Sequence, residues 1–291
     1  MFTDQLGTLT DRELEALCVP LRECLSTKTG PVDLTVLSNL DARRFDQAPV
    51  YDAEKGHLLG IVETTFLREL YEAREPLAAD DPAVCNDTHM FHIGCFVSID
   101  QILEKMSERR AVFVIRGSSA TEHGYVEWNY GLLTISDLNR QPLRAALYAL
   151  LAELESGMAV LVDSAFSDPW AWVKTLAEEH QVRILGYCEL TRRRNLDVGP
   201  IAATTLAQLI QVVSKNQELL QKLGYRSRTE YDRQTGSIPN LRNCVMHPVR
   251  PLVLGQEDVK LIRSTVASVQ DLYSRVQKLT ARGPCEGMRT A

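Results

Sequence analysis

The sequence predicts an α+β protein with a mixed first half and an all-helical second half. Three observations carry this. An order of strand, turn, strand and helix occurs twice between residues 44 and 140. From residue 141 on, strand signals fade and leucines recur at helical spacing. The chain has 291 residues, 45% of them hydrophobic, enough for one large or two ordinary domains with a core in each half. The expected divisions are a helical segment over 1–35, a pair of small α/β units over 36–140, and a helical bundle over 141–291.

The elements follow in order. Residues 8–26 (TLTDRELEALCVPLRECLS) read as a helix, with Leu14, Leu17, Cys18, Leu21 and Leu25 on one face. Thr10 and Glu13 have capping-box spacing, and Pro20 should bend the helix or end it early. TKTGPVD (27–33) is a turn-rich break. An extended run from Ala48 to Tyr51, a turn at Glu54–Gly56 and a strand from Leu58 to Val62 form a hairpin, and a helix follows. Downstream, SIDQILEKMSERR is a helix, AVFVIR a β-branched strand, and YGLLTISDL a strand running into a helix start. The two copies lie ~65 to 70 residues apart, an internal repeat.

In the second half, LRAALYALLAELE places Leu143, Leu147, Leu150, Leu151 and Leu154 on one side of a helix. WAWVKTLAEEHQVRILGYCELTRRR reads as a second long helix, although VRILGYC alone would pass for a strand. After Gly199-Pro200, IAATTLAQLIQVVSKNQELLQKLG is a third, stopped by Gly224. A polar stretch, YRSRTEYDRQTGSIP, leads to LRNCVMHPVR, a helix expected to start near Leu241 with Asn240 as its cap. Val259, Ile262, Val266, Val269, Tyr273 and Val276 form the stripe of a last buried helix. Four or five helices are expected in all.

Composition excludes some classes. The net charge of −6 argues against a protein coated for nucleic acid, so RNA contact needs a local basic patch. One lies between Tyr225 and Pro251, where Arg226, Arg228, Arg233, Arg242 and Arg250 face Glu230 and Asp232. Arg192, Arg193 and Arg194 form a second basic knot, and most such clusters are solvated faces. No run approaches the ~20 apolar residues of a membrane span, and the N-terminus has no secretory pattern. Seven scattered cysteines suit reduced thiols, so a cytoplasmic protein without membrane association is expected. Cys85, His89, His92 and Cys95 offer zinc donors, but C-x3-H-x2-H-x2-C fits no common zinc pattern and no metal is expected.

GLLTISD (131–137) is a strand-to-helix junction at which Thr134 and Asp137 either cap the helix or meet a nucleotide's phosphate and ribose. With the repeat around it, the segment resembles a tandem CBS-domain pair, a family that binds adenine nucleotides. The resemblance implies a ribose-phosphate motif with Gly131, Thr134 and Asp137 as nucleotide-binding residues. The ligand class is AMP, ATP or a cyclic oligoadenylate, acting as a regulator. The first copy, GIVETTF (60–66), departs from the motif: Glu63 stands where Thr or Ser belongs and Phe66 where Asp belongs. A carboxylate repels phosphate, so that half-site should be poor or empty.

In LRNCVMHPVR, Asn243 and His247 share a helical face, while Arg242 and His247 diverge by ~140° on an ideal helix. Pro248 disfavours α conformation at His247 and should end the helix there, freeing the imidazole. Arg242, Asn243 and His247 resemble the Arg-polar-x3-His motif of the HEPN superfamily, whose fold is a helical bundle. That resemblance implies a metal-independent endoribonuclease, needing no catalytic cofactor, in which the RNA 2′-hydroxyl attacks its own 3′-phosphate. Histidine, titrating near ~6.5 in its ordinary state, moves the proton. Arginine stabilises the phosphorane and the amide steadies the imidazole or a phosphate oxygen. One chain supplies one such set, so a two-fold homodimer is implied. RNA would lie on Arg226, Arg228 and Arg250. The alternative is a non-catalytic module that senses a nucleotide and dimerises or binds RNA.

Overall fold

The computed structural model describes residues 7–84, 90–93, 96–116 and 129–280. The chain forms two compact units. One is mixed α+β and comprises residues 8–144 with 252–260; the other is helical and comprises the rest.

In the mixed unit, β1 (Thr8–Thr10) leads into α1 (Asp11–Leu17). The Thr10–Glu13 capping box is present, with the Thr10 N–H and hydroxyl both donating to the Glu13 carboxylate. The helix is far shorter than its apolar periodicity predicts. Cys18 is already extended, and β2 (Val19–Pro20) pairs with a strand more than a hundred residues away. Leu21 is buried, but in a 3-10 turn (Leu21–Glu23) rather than on a helix face.

The repeat is visible as two copies of strand, helix, hairpin and helix start. The first is β3 (Thr27–Lys28), α2 (Leu34–Arg43), β5 (Gln47–Tyr51), β6 (Leu58–Glu63) and α3 (Thr64–Ala73). The second is β8 (Met90–Ile93), α4 (Ile99–Glu108), β10 (Ala111–Arg116) and β11 (Asn129–Thr134), followed by a 3-10 helix (Ile135–Asn139). In each copy the hairpin is antiparallel and the leading strand runs parallel to its first arm. The four-stranded sheet has the order β2-β11-β10-β8 and the three-stranded sheet β3-β5-β6. Two small pairs, β1 with β9 (Phe96–Ser98) and β4 (Gly30–Pro31) with β7 (Pro76–Leu77), close the unit's edges.

Strand alternation sets the cores. Ala48, Val50 and Val62 pack with Leu37 and Leu40 of α2 and Leu67 and Leu70 of α3. Ile61, on the opposite face of β6, joins Phe113 and Leu132 of the second hairpin. Each fully buried valine, leucine, isoleucine or phenylalanine among these contributes about 1.5–3 kcal/mol by area.

The helical unit contains most of α5 (Gln141–Ala165), then α6 (Glu178–Arg192), α7 (Leu206–Ser214), α8 (Gln217–Lys222), α9 (Arg228–Thr235), α10 (Ile238–Met246) and most of α11 (Gln256–Thr280). That is more helices than the sequence suggests. The third expected helix divides because the Asn216 side chain accepts from the Leu219 N–H and starts a new one. The polar stretch before the RNCVMH segment holds α9, capped by Ser227 and burying only Tyr231 and Thr235. VRILGYC lies in α6, which begins only at Glu178; a 3-10 turn (Val173–Thr175) precedes it. α5 is long and apolar enough to cross a membrane, contrary to the expectation from sequence. Part of its apolarity serves packing: Leu147 and Leu154 are fully buried and Leu150 and Leu151 nearly so, while Tyr148 and Val160 are exposed.

Candidate functional site

A cleft of about 700 Å³ opens in the mixed unit. Its walls come from segments far apart in sequence. The Val19–Leu25 turn supplies Glu23 and Cys24, the end of α2 supplies Arg44, Phe45 and Asp46, and the residue before β10 is Arg110. Thr134 to Asp137 and Arg140 form another wall, and Leu254 to Gln256 complete it.

Arg44 reaches the cleft through an uncommon backbone turn. It closes α2 in the left-handed region (φ 58°), its N–H on the Asp41 carbonyl and the Phe45 N–H on the Leu40 carbonyl. The paired bonds repay the left-handed strain and swing the chain from α2 into β5. The Thr64 hydroxyl then donates to the Phe45 carbonyl (2.8 Å) and ties the turn to α3. Phe45 keeps 45% of its surface exposed and adds a flat apolar face beside the charged side chains of the wall.

Gly131, Thr134 and Asp137 are brought to one junction. Gly131 is there for packing. A Cβ on it would stand 2.7 Å from the Cys18 Cβ, so only glycine lets β2 pair so closely with β11. Thr134 and Asp137 form a capping box: one Asp137 oxygen accepts from the Thr134 N–H (2.8 Å) and hydroxyl (2.7 Å). The other meets the Arg140 guanidinium at 2.8 Å. The buried Asp137 carboxylate is thus largely occupied, and the Ile135 N–H is spent on the Arg110 carbonyl. Capping, one of the two roles open from sequence, is realised. Asp137 also fixes Arg140, whose other nitrogen donates to the Cys18 carbonyl at 3.4 Å.

The wall therefore offers three guanidinium groups, from Arg44, Arg110 and Arg140, beside the carboxylates of Glu23, Asp46 and Asp137. Guanidinium forks match phosphate oxygens, and carboxylates accept from sugar hydroxyls. Two thiols lie near Asp137. Burial, reinforced by that carboxylate, pushes Cys18 up to about 12 and Cys24 up to about 11. Both stay protonated at neutral pH and are poor nucleophiles. In the first repeat, Glu63 precedes α3 without a side-chain cap, and neither Glu63 nor Phe66 lines this cleft.

The second candidate set lies in the helical unit at the end of α10. This helix starts at Ile238, with Pro239 in its first turn, earlier than Asn240 and Leu241 suggest. It ends at Met246. His247 leaves helical geometry (φ −113°, ψ 83°) while its N–H still reaches the Asn243 carbonyl, the stop that Pro248 imposes. Asn243 and His247 are exposed and one turn apart. Arg242 is half-buried and points to Glu155, 3.9 Å away. Glu155 also accepts from the Leu206 N–H at the start of α7 (2.8 Å).

Of the arginines expected on RNA, Arg226 and Arg250 are exposed. Arg228 is engaged by Asp232 (3.3 Å) and the Ser214 hydroxyl (3.1 Å). Cys85, His89 and Cys95 lie outside the described residues, as does the His92 side chain. Among the described residues no group of three or more metal-binding side chains occurs, and Cys18, Cys24, Cys188 and Cys244 are free thiols.

The sequence reading missed Arg44, Phe45, Arg110, Arg140 and Glu155. Arg140 had a signal, its i,i+3 spacing from Asp137. The others come from segments that only tertiary structure gathers.

No protein-family model matches the chain, and no curated protein does. Solved structures similar to it over about half its length include CBS-domain proteins. The CBS domain of a bacterial CNNM/CorC-family Mg2+ transporter in complex with ATP is 16% identical over 47% of this chain and 88% of its own, with a TM-score of 0.33. A CBS domain protein from Shewanella oneidensis MR-1 is 20% identical over 43% and 92%, at 0.30. CbpB from Streptococcus agalactiae is 14% identical over 50% and 90%, at 0.32.

Proposed function

We propose that the cleft of the mixed unit binds an adenine nucleotide as a regulatory ligand. One observation carries this reading: the Arg140 guanidinium is held at the wall by the buried Asp137, alongside Arg44, Arg110 and the open ring of Phe45. A mixed wall of this kind suits a ligand with an anion at one end, hydroxyls in the middle and a flat base at the other. Bare phosphate would leave the carboxylates and the ring unused. The volume is within the range of roughly 300–1,000 Å³ typical of small-molecule sites. The choice of adenine rests on the resemblance of GLLTISD to the ribose-phosphate motif. Because Asp137 is mostly taken, its part is to position Arg140, and the three arginines hold the phosphates.

Thermal unfolding with AMP, ATP and a cyclic oligoadenylate tests this. A ligand at a hundred times its Kd stabilises by about 2.7 kcal/mol, which raises the melting temperature by several degrees. Arg110→Glu, an exposed side chain replaced, should keep the unliganded melting temperature and lose the shift. A shift of equal size in that variant would remove the cleft from the reading.

The helical unit favours a second function, RNA cleavage at the end of α10 in a dimer of two chains. It is favoured by the exposure of His247 and Asn243 at a proline-terminated helix end, with Arg242 five residues before the histidine. An exposed imidazole there is open to a phosphodiester, and Arg226 and Arg250 add positive charge on the same stretch of chain. The reaction is transphosphorylation by the RNA 2′-hydroxyl, with His247 moving protons and Arg242 stabilising charge. In the competing reading the helical unit only dimerises or holds RNA.

A further inference from the structure

One wall of the cleft has no secondary structure of its own and is held by side chains. A crossing of the chain from the helical unit into the mixed unit lies between Pro251 and Leu252, five residues after His247. Every residue from Met246 to Pro251 is exposed, while Leu252 and Val253 are buried. Residues 251–255 belong to neither helix nor strand. Four successive N–H groups there nevertheless donate to side-chain oxygens. Those of Leu252 (2.6 Å) and Val253 (3.1 Å) reach the Asn139 carbonyl oxygen. Those of Leu254 (2.8 Å) and Gly255 (3.3 Å) reach one oxygen of Asp258, in the first turn of α11. The Asn139 amide returns a bond to the Val253 carbonyl at 2.9 Å. With an acceptor and a donor side by side, this amide pairs with the backbone much as a strand would.

Asn139 is fixed in turn from the cleft side. It ends the 3-10 helix that carries Asp137, next to Arg140, and its own carbonyl accepts from the Nε of the buried Arg144 at 3.1 Å. Asp137 and Arg140 line the cleft, and so do Leu254, Gly255 and Gln256. Asn139 is thus the tie between two walls of one cleft, and all of this tie lies within the mixed unit.

We infer that Asn139 is a latch for the nucleotide site: a nucleotide in the cleft favours the state in which Asn139 holds Leu252 and Val253, and so fastens the chain just past the Arg242–His247 segment. The inference rests on the nucleotide-binding reading and requires no RNA cleavage. A ligand that touches both walls binds the latched state better than the open one. By linkage, it reduces opening of the latch by that ratio of affinities. Breaking the latch weakens the ligand by up to the same ratio.

The test is hydrogen exchange of the full chain at single-residue resolution, with and without saturating ATP. The Leu252 and Val253 amides report the latch, because they exchange when Asn139 releases them. ATP is expected to slow both by about fivefold or more, the low end of typical coupling between sites. In Arg110→Glu, which removes a phosphate-holding arginine, ATP leaves both amides unchanged. In Asn139→Ala both exchange fast with or without ATP, while the β10 and β11 amides exchange as in wild type. That variant also binds ATP about fivefold or more weakly in calorimetry. The wild-type comparison needs no variant to fold. ATP that binds wild type without slowing these two amides overturns the latch and leaves the nucleotide reading in place. Slowing that persists in Arg110→Glu, or an unchanged ATP affinity in Asn139→Ala, also overturns it. A wild type that binds no ATP overturns both.

Discussion

The His247→Ala variant is expected to lose about 10²–10⁴-fold of RNA cleavage while folding as the wild type does. Proton transfer is the part of transphosphorylation that a side chain must supply, because the nucleophile and the leaving group both belong to the RNA. The proposed RNA-cleaving reading gives that role to His247. It is exposed, it caps α10, and Pro248 prevents the helix from running on past it. Its backbone is tied down, the N–H donating to the Asn243 carbonyl at 3.1 Å and the carbonyl accepting from the Arg250 N–H at 2.9 Å. Removing the ring therefore takes away no packing, and the melting temperature should move by no more than a degree or two. Arg242→Ala should also lower the rate, but it removes the contact with Glu155 and so carries a small cost in stability. The comparison is made in EDTA with an RNA of mixed sequence, and the products are checked for 2′,3′-cyclic phosphate. Equal turnover by wild type and His247→Ala removes this histidine from the chemistry. No turnover by either supports the non-catalytic reading.

The largest effect on stability is expected from Tyr231→Ala, at about 3–5 kcal/mol. Tyr231 is fully buried in α9, a helix otherwise so polar that this ring is its main anchor. Its ring meets Tyr225 edge-on with centroids 5.0 Å apart. Arg275 of α11 lies over the Tyr225 ring at 4.7 Å, itself held by Asp271 at 2.8 Å. Truncation removes one end of this stack and loosens α9 from the Tyr225–Arg275 pair. For a chain of this size the loss corresponds to roughly 10 °C in melting temperature. Tyr231→Phe should behave differently. The Tyr231 hydroxyl has no hydrogen-bond partner among the described residues, so removing it costs under about 1 kcal/mol. The same burial acts through pH. It holds Tyr231 well above its usual range and Tyr225 at about 12. The folded state keeps protons that the unfolded chain releases near pH ~10. Their contribution is therefore full below that pH and declines as the pH rises through it. Melting curves of the two variants and of wild type, repeated between pH 7 and 11, check both points. A large loss in Tyr231→Phe would mean that the hydroxyl is paired after all.

Local signals were legible in the sequence and long-range ones were not. The hairpin from Gln47 to Glu63, the Thr10 capping box, the leucine stripe of α5 and the stop at Pro248 depend on residues within a few positions of one another. Their spacing alone announces them. Val19 and Pro20 carry no such signal. They sit in a run with good helical periodicity, and the competing pairing with β11 outweighs it. α9 lacks the apolar period that marks a helix, because one tyrosine and one threonine do all its burying. At the cleft, sequence pointed to Thr134 and Asp137 because they share a short motif. It passed over Arg44, which arrives through a left-handed residue that is not glycine, and Arg110, which precedes an ordinary strand. The motif also concealed a division of labour. Asp137 spends most of its acceptors on Thr134 and Arg140, so what it brings to the cleft wall is the arginine it holds.

The most direct measurement of the central claim is calorimetric titration of AMP and ATP into the wild-type chain at low and high salt. The cleft predicts one saturable site per chain, tighter for the nucleotide with more phosphates, and weaker at high salt because arginines hold the anion. Flat titrations at millimolar nucleotide, or binding that salt leaves untouched, would contradict it.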